Sequence, residues 1–200
     1  MCAVSNHLTL GTPLAGPWPA GTRTISVAMG CFWGAEKKFW SLPGVVCTSV
    51  GYQGGGTADP DYRLVCTGAT GHAEVVRIAY DPAFVGLYDL LKVFWENHDP
   101  TQGDRQGNDI GSQYRSAVFY DDGTDEDLIV RSRDAYADEL AKRKFGNVTT
   151  QISWAQDPSA PLQFWLAEDY HQQYLIKNPN GYDCHAHTGI DLPPLENLPA

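Results

Sequence analysis

Apolar and polar positions recur along this chain with two periods. Thr24 to Ala28 form an apolar, β-branched run, after which Phe32, Glu36, Phe39 and Trp40 fall at helical spacing. A strand near 24–29 therefore passes into a helix near 32–41, ended by Pro43-Gly44. Val45, Val46, Thr48, Val50 and Tyr52 predict a second strand, with Cys47 as core filler inside it. In the stretch from Gly71 to Tyr80, alternation puts Glu74, Val76 and Ile78 on one face of a third strand. Leu87, Leu90, Leu91, Phe94, Trp95 and His98 give the clearest amphipathic helix of the chain, and His98 reads as a buried, hydrogen-bonded ring at its end. Tyr114 to Tyr120 predicts a strand. A polar helix follows over about 124–145, with Leu128, Ala135, Tyr136 and Leu140 as its inner stripe. Thr149 to Ala155 predicts another strand, and the aromatic spacing from Phe164 to Leu175 a shorter helix, broken by Asn178-Pro179-Asn180-Gly181.

The connections are long. Residues 1–23, rich in Pro and Gly, read as an irregular arm. Residues 54–71 and 101–113 form polar, Gly-rich loops of the kind that carry function. The tail from 178 to 200 reads as coil. Strands and helices interleave without a strict βαβ repeat, so the expected fold is an α+β sandwich, with one domain over 24–200 that includes the tail.

The 200 residues, 42% hydrophobic and 12% aromatic, are enough to bury a core without staples. A formal net charge of −10 argues against a nucleic-acid partner, which needs clustered Lys and Arg. No apolar run approaches the roughly 20 residues of a membrane span. Residues 1–22 lack a basic start followed by an apolar block, so the expected location is the cytoplasm. Five cysteines, Cys2, Cys31, Cys47, Cys66 and Cys184, are odd in number and scattered, which suits neither a disulfide framework nor a four-ligand zinc site. Cys184, His185 and His187 are three close ligand types without a clear fourth, so no metal is expected. Gly54-Gly55-Gly56 lacks the Gly-Lys-Ser/Thr ending of a phosphate cradle, and no cofactor is expected.

Cys31 falls where a strand ends and a helix begins. Free N–H groups and the macrodipole at that end favour an anion, and thiolate is the reactive form of cysteine. The effect is about 0.3–1 kcal/mol against about 1.4 kcal/mol per pKa unit, so the helix alone leaves the thiol protonated and a second group is needed. Cys31 is open to two readings at this point, a reactive thiol or a small buried hydrophobe. Glu74 likewise reads as a strand-start carboxylate in water, or as an acid kept protonated by apolar neighbours.

Four motifs resemble the peptide methionine sulfoxide reductase A family: Gly30-Cys31-Phe32-Trp33-Gly34; Gly71-His72-Ala73-Glu74; Arg105-Gln106-Gly107-Asn108-Asp109 with Gln113-Tyr114-Arg115-Ser116; and His171-Gln172-Gln173-Tyr174 followed by Asn178-Pro179-Asn180-Gly181-Tyr182. Their order and spacing match over about 24–184. The resemblance implies a ferredoxin-like two-layer α/β sandwich core wrapped by long coil, and reduction of the S epimer of methionine sulfoxide, free or in proteins. It implies Cys31 as nucleophile and Glu74 as acid, with Tyr62 and Tyr114 as hydroxyls around the sulfoxide oxygen. Asp109 would position substrate, and Phe32 and Trp33 would hold the methyl on sulfur. The sulfenic acid left on Cys31 would be resolved by Cys184. The resulting disulfide would be reduced by an outside dithiol such as thioredoxin. A monomer is expected. Asp183 stands between Tyr182 and Cys184 where many family members have Gly-Tyr-Cys, and no later cysteine follows, which suggests a two-cysteine cycle. Two rivals predict different behaviour. A cysteine hydrolase would pair Cys31 with His72 or His98. A sensor would register peroxide at Cys31 without turnover.

Overall fold

The computed structural model describes residues 6–184 and 186–199. Its elements run β1 (Arg23–Met29), α1 (Phe32–Lys37), β2 (Val45–Gln53), α2 (Tyr62–Cys66), β3 (Ala73–Tyr80), α3 (Leu87–Glu96), β4 (Arg105–Gln106), β5 (Asp109–Ile110), β6 (Ser116–Tyr120), α4 (Glu126–Lys142), β7 (Gln151–Trp154), β8 (Trp165–Leu166) and α5 (Tyr174–Lys177). Six strands pair in the order β7-β6-β1-β3-β2-β8, and β4 with β5 forms a separate hairpin. The four inner strands, β6-β1-β3-β2, are antiparallel, and β7 joins β6 in parallel. With α1 after β1 and α3 after β3, this is the βαββαβ arrangement of a ferredoxin-like sandwich.

Alternation along the strands divides the sheet into two faces. Ile25, Val27, Val76, Ile78 and Val118 face the helices, where Leu91, Phe94 and Trp95 of α3 and Tyr136 and Leu140 of α4 complete the main core. The opposite face carries smaller groups. Ala28, Ala73, Val75 and Ala117 pack with Phe119 under the coil at Leu162 and Phe164, and Cys47 and Ala79 lie under Leu14 and Trp18 of the N-terminal arm. A face of small side chains leaves room for backbone to lie close, so coil takes the place of a second helical layer. Cys2 lies outside the described residues. None of the described helices is long and apolar enough to cross a membrane.

Three expected elements differ. The first helix ends at Lys37 because its last turn tightens: Lys38 and Phe39 donate to the carbonyls three residues back rather than four. In α4 the buried stripe is Ile129, Ser132, Ala135, Tyr136 and Leu140, one position away from the half-buried Leu128 at its start. The aromatic segment 164–175 is not one helix. Trp165 and Leu166 pair with Tyr52 and Gly51 on the open edge of β2, and only Tyr174–Lys177 is helical. Just beyond β8, the buried Gln172 amide both accepts from Val50 N at 2.9 Å and donates to Val50 O at 2.8 Å. The sheet edge offers backbone partners that a helix here would leave unmatched. The loop 54–71 also holds the short α2, started by Asp61, whose side chain accepts from Leu64 N.

Candidate active site

Gly30 turns the chain from β1 into α1 with φ +92, and a Cβ there would come within 2.7 Å of the Gln106 side chain. Glycine is thus required twice over, for its backbone angle and for its lack of bulk. Cys31 follows as the residue that begins α1, with 7% of its surface exposed. The helix start divides its free N–H groups. Phe32 N donates to Glu74 Oε2 at 3.1 Å, and Trp33 N–H is directed to the Cys31 thiol. Burial nevertheless drives the thiol well above its ordinary range, and the neighbouring Glu74 charge adds to this. At rest Cys31 is therefore a neutral thiol, and the six-residue helix does not make it a thiolate.

Glu74 is buried on β3, which decides between the two readings that its sequence position left open. Burial pushes its carboxyl up to about 8, the Phe32 N–H opposes this, and the Asp109 charge adds to it. The group holds a proton at neutral pH beside a protonated thiol.

The remaining predicted residues close round this pair. Tyr62 opens α2 and Tyr114 ends a 3₁₀ turn. Burial raises both phenols, each feels the Glu74 charge, and Tyr62 is also hydrogen-bonded to Cys66. Asp109 on β5 accepts the Tyr182 hydroxyl at 3.0 Å and lies close enough to act electrostatically on Cys31. Phe32 is buried, its ring 4.9 Å from His171. Trp33 stacks on Tyr174 at 3.7 Å and donates its indole N–H to His171 Nδ1 at 2.9 Å. Cys184 reaches the site from the tail. Its Sγ is 3.8 Å from Gln106 O, and a Cβ on Gly34, three residues after Cys31, would stand 3.3 Å from its backbone nitrogen. Asp183 pairs with Lys37 of α1 at 2.9 Å, so the tail is docked on the helix that follows Cys31.

Several participants escaped the sequence reading. Glu168 accepts Tyr52 Oη and Tyr62 N, each at 2.8 Å. His171 and Tyr174 hold Trp33, and Glu36 accepts from Gln173 and Thr48. The His171-Gln172-Gln173-Tyr174 motif was the available signal, but its aromatic spacing suggested a helix rather than a turn with inward polar groups.

His72 and His98 are committed elsewhere. His72 bonds Gly55 N and Thr57 O, and His98 bonds Phe94 O and Ser116 Oγ. Neither serves Cys31 as a base. Cys31, Cys47, Cys66 and Cys184 are free thiols. Among the described residues no group of three or more His, Cys, Asp and Glu could hold a metal, and His185 lies outside them.

A neutral thiol beside a protonated carboxyl, with a second thiol docked nearby, is an arrangement for thiol-based reduction of a polar oxygen group. The family model described as peptide methionine sulfoxide reductase matches residues 23–196. The chain is 54% identical over 189 residues to the peptide methionine sulfoxide reductase MsrA of Brucella anthropi, covering 94% of this chain and 84% of the relative. The methionine sulfoxide reductase A of Corynebacterium diphtheriae superposes with a TM-score of 0.79 at 44% identity, over 95% of this chain and 90% of that one. Mxr1 of Saccharomyces cerevisiae in its reduced form gives 0.73 at 34%, over 86% and 94%. The chain belongs to the peptide methionine sulfoxide reductase family and is a methionine sulfoxide reductase of the MsrA type.

Proposed function

We propose that this reductase acts on the S epimer of methionine sulfoxide, free or in proteins, through Cys31, Glu74 and Cys184. Glu74 gives its proton to the sulfoxide oxygen, which makes the sulfur electrophilic, and the Cys31 sulfur attacks. The oxygen passes to Cys31, and the Cys31 proton returns the carboxyl to its acid form. The substrate S–O bond is lost, methionine gains two electrons, and Cys31 becomes a sulfenic acid. Tyr62 and Tyr114 donate to the oxygen, Asp109 orients the substrate, and Phe32 with Trp33 walls its methyl. Cys184 then displaces water to form a Cys31–Cys184 disulfide. An outside dithiol of thioredoxin type reduces that bond, since its low potential runs the exchange in this direction. Yeast Mxr1 is known in complex with Trx2.

The observation that carries this reading is the buried Glu74 carboxyl, bonded at 3.1 Å to the first N–H after Cys31 and raised to about 8. An acid that must donate at neutral pH needs such a value. The test is intact mass with peptide mapping after one equivalent of L-methionine S-sulfoxide is added to reduced protein without reductant. Loss of two hydrogens, release of one methionine and a Cys31–Cys184 link are expected. A Cys31 sulfenic acid with Cys184 free would remove the resolver, and no methionine would remove the reductase. The R epimer should give no methionine.

A further inference from the structure

The family match begins at residue 23, yet the arm before it reaches the helix that carries Cys31. His7 is buried, and its Nε2 lies 2.9 Å from Thr48 Oγ1 on β2. Thr48 Oγ1 donates to Glu36 Oε1 at 2.9 Å. A hydroxyl has one proton, so toward His7 the threonine oxygen can only accept, and Nε2 must carry the ring hydrogen. His7 Nδ1 is then an acceptor, and the Thr9 and Leu10 N–H groups donate to it at 3.2 Å each. Burial lowers the His7 ring to about 4, in keeping with this neutral form.

Beyond Thr48, burial pushes the Glu36 carboxyl up to about 7 against the pull of its donors, and it accepts two more of them, Gln173 N at 2.9 Å and Gln173 Nε2 at 2.8 Å. Gln173 holds a left-handed backbone with φ +47, which a residue with a side chain rarely adopts. The turn 171–174 therefore depends on partners outside itself, and Glu36 supplies two. That turn carries His171 and Tyr174, which grip Trp33 by its indole N–H and by stacking.

We propose that His7 is a positioning residue for the reductase site, setting the direction of a buried hydrogen-bond chain, His7–Thr48–Glu36–Gln173, that locks the turn holding Trp33. The consequence for catalysis rests on Trp33 being part of the substrate wall, as argued above; the chain itself does not. It gives the N-terminal arm a role in shaping the site.

Two variants separate the chain from local packing. His7→Asn keeps an acceptor for Thr9 and Leu10 but loses the donor to Thr48, whereas His7→Gln keeps a donor that reaches Thr48. The readouts are hydrogen exchange of the Trp33 indole N–H by NMR, assigned with Trp33→Phe, together with KM and kcat for L-methionine S-sulfoxide and the melting temperature. In His7→Asn the indole proton should exchange about tenfold faster and KM rise about three- to tenfold, with kcat within about twofold of wild type. His7→Gln should restore both. Wild-type exchange in His7→Asn would overturn the proposal. So would faster exchange with an unchanged KM, or equal damage in both variants, which would mean that the ring only fills space. Should His7→Asn not fold, Thr48→Val breaks the same chain from the strand side and carries the same expectations. Wild-type protein inert toward methionine sulfoxide would fail the reductase reading instead. The indole exchange would then still decide the chain, faster exchange in His7→Asn supporting it and wild-type exchange refuting it.

Discussion

Glu74 Oε2 accepts the Phe32 backbone N–H at 3.1 Å, so the first free donor of the helix that follows Cys31 serves the carboxyl rather than the thiol. The Trp33 N–H is left for Cys31. One helix start thus orients both partners in the proposed reaction, and it does so without ionising either. Each stays protonated because burial outweighs the single N–H that it receives.

The pH dependence follows from Glu74. The proposed first step needs its acid form, which is lost as pH rises through about 8. Single-turnover release of methionine should fall on the alkaline side with an inflection near that value. Glu74→Gln should lower the rate about 10²- to 10⁴-fold and abolish the inflection. An alkaline limb that persists in Glu74→Gln would assign the titration to another group.

The same carboxyl costs stability. Its folded value lies above the unfolded one, so the native state binds the proton more tightly, and stability falls as pH rises from about 4 toward about 8. Glu74→Gln removes this cost and leaves an oxygen to accept the Phe32 N–H. The variant should be more stable than wild type at pH 7, by something on the order of 3 kcal/mol, and equal to it near pH 4. Denaturant melts at the two pH values check the sign.

Gly34 offers a way to separate the two proposed thiol steps. A Cβ there would meet Asp183 Oδ1 at 2.6 Å and the Cys184 backbone at 3.3 and 3.4 Å. Gly34→Ala should push the tail off α1 while leaving Cys31 and Glu74 in place. One equivalent of methionine should still form at the wild-type rate, with disulfide formation slowed about tenfold or more, as each 1.4 kcal/mol of misplacement is tenfold. Rapid-quench mass analysis distinguishes the two events.

Trp33→Phe keeps an aromatic face for Tyr174 but loses the donor to His171 Nδ1. A neutral hydrogen bond contributes about 1 kcal/mol net, so KM for methionine sulfoxide should rise about fivefold with little change in kcat. A fall in kcat with KM unchanged would place Trp33 in the chemical step instead.

Much of this molecule was legible from periodicity, because burial acts on any apolar side chain regardless of its partner. The strands β1, β2, β3 and β6 and the helices α3 and α4 announce themselves in this way, and the alternation puts Glu74 on the same face of β3 as Val76 and Ile78. His98, read as a buried hydrogen-bonded ring, bonds Phe94 O and Ser116 Oγ. The segment 164–175 was misread because aromatic spacing fits a helix and says nothing of the open edge of β2. Whether that edge is paired depends on a strand more than a hundred residues earlier.

Local pattern along the chain is enough to place the change from strand to helix at Cys31, the face of β3 that carries Glu74, and the long polar connections. These depend on neighbours within one turn or one strand. The hydrogen-bond partners emerge only in the folded chain: Phe32 N–H to Glu74, Trp33 to His171 across 138 positions, His7 to Thr48 across 41. Such pairings exist only after the sheet has closed, and hydrogen bonds are directional and short-ranged, so no local pattern encodes them.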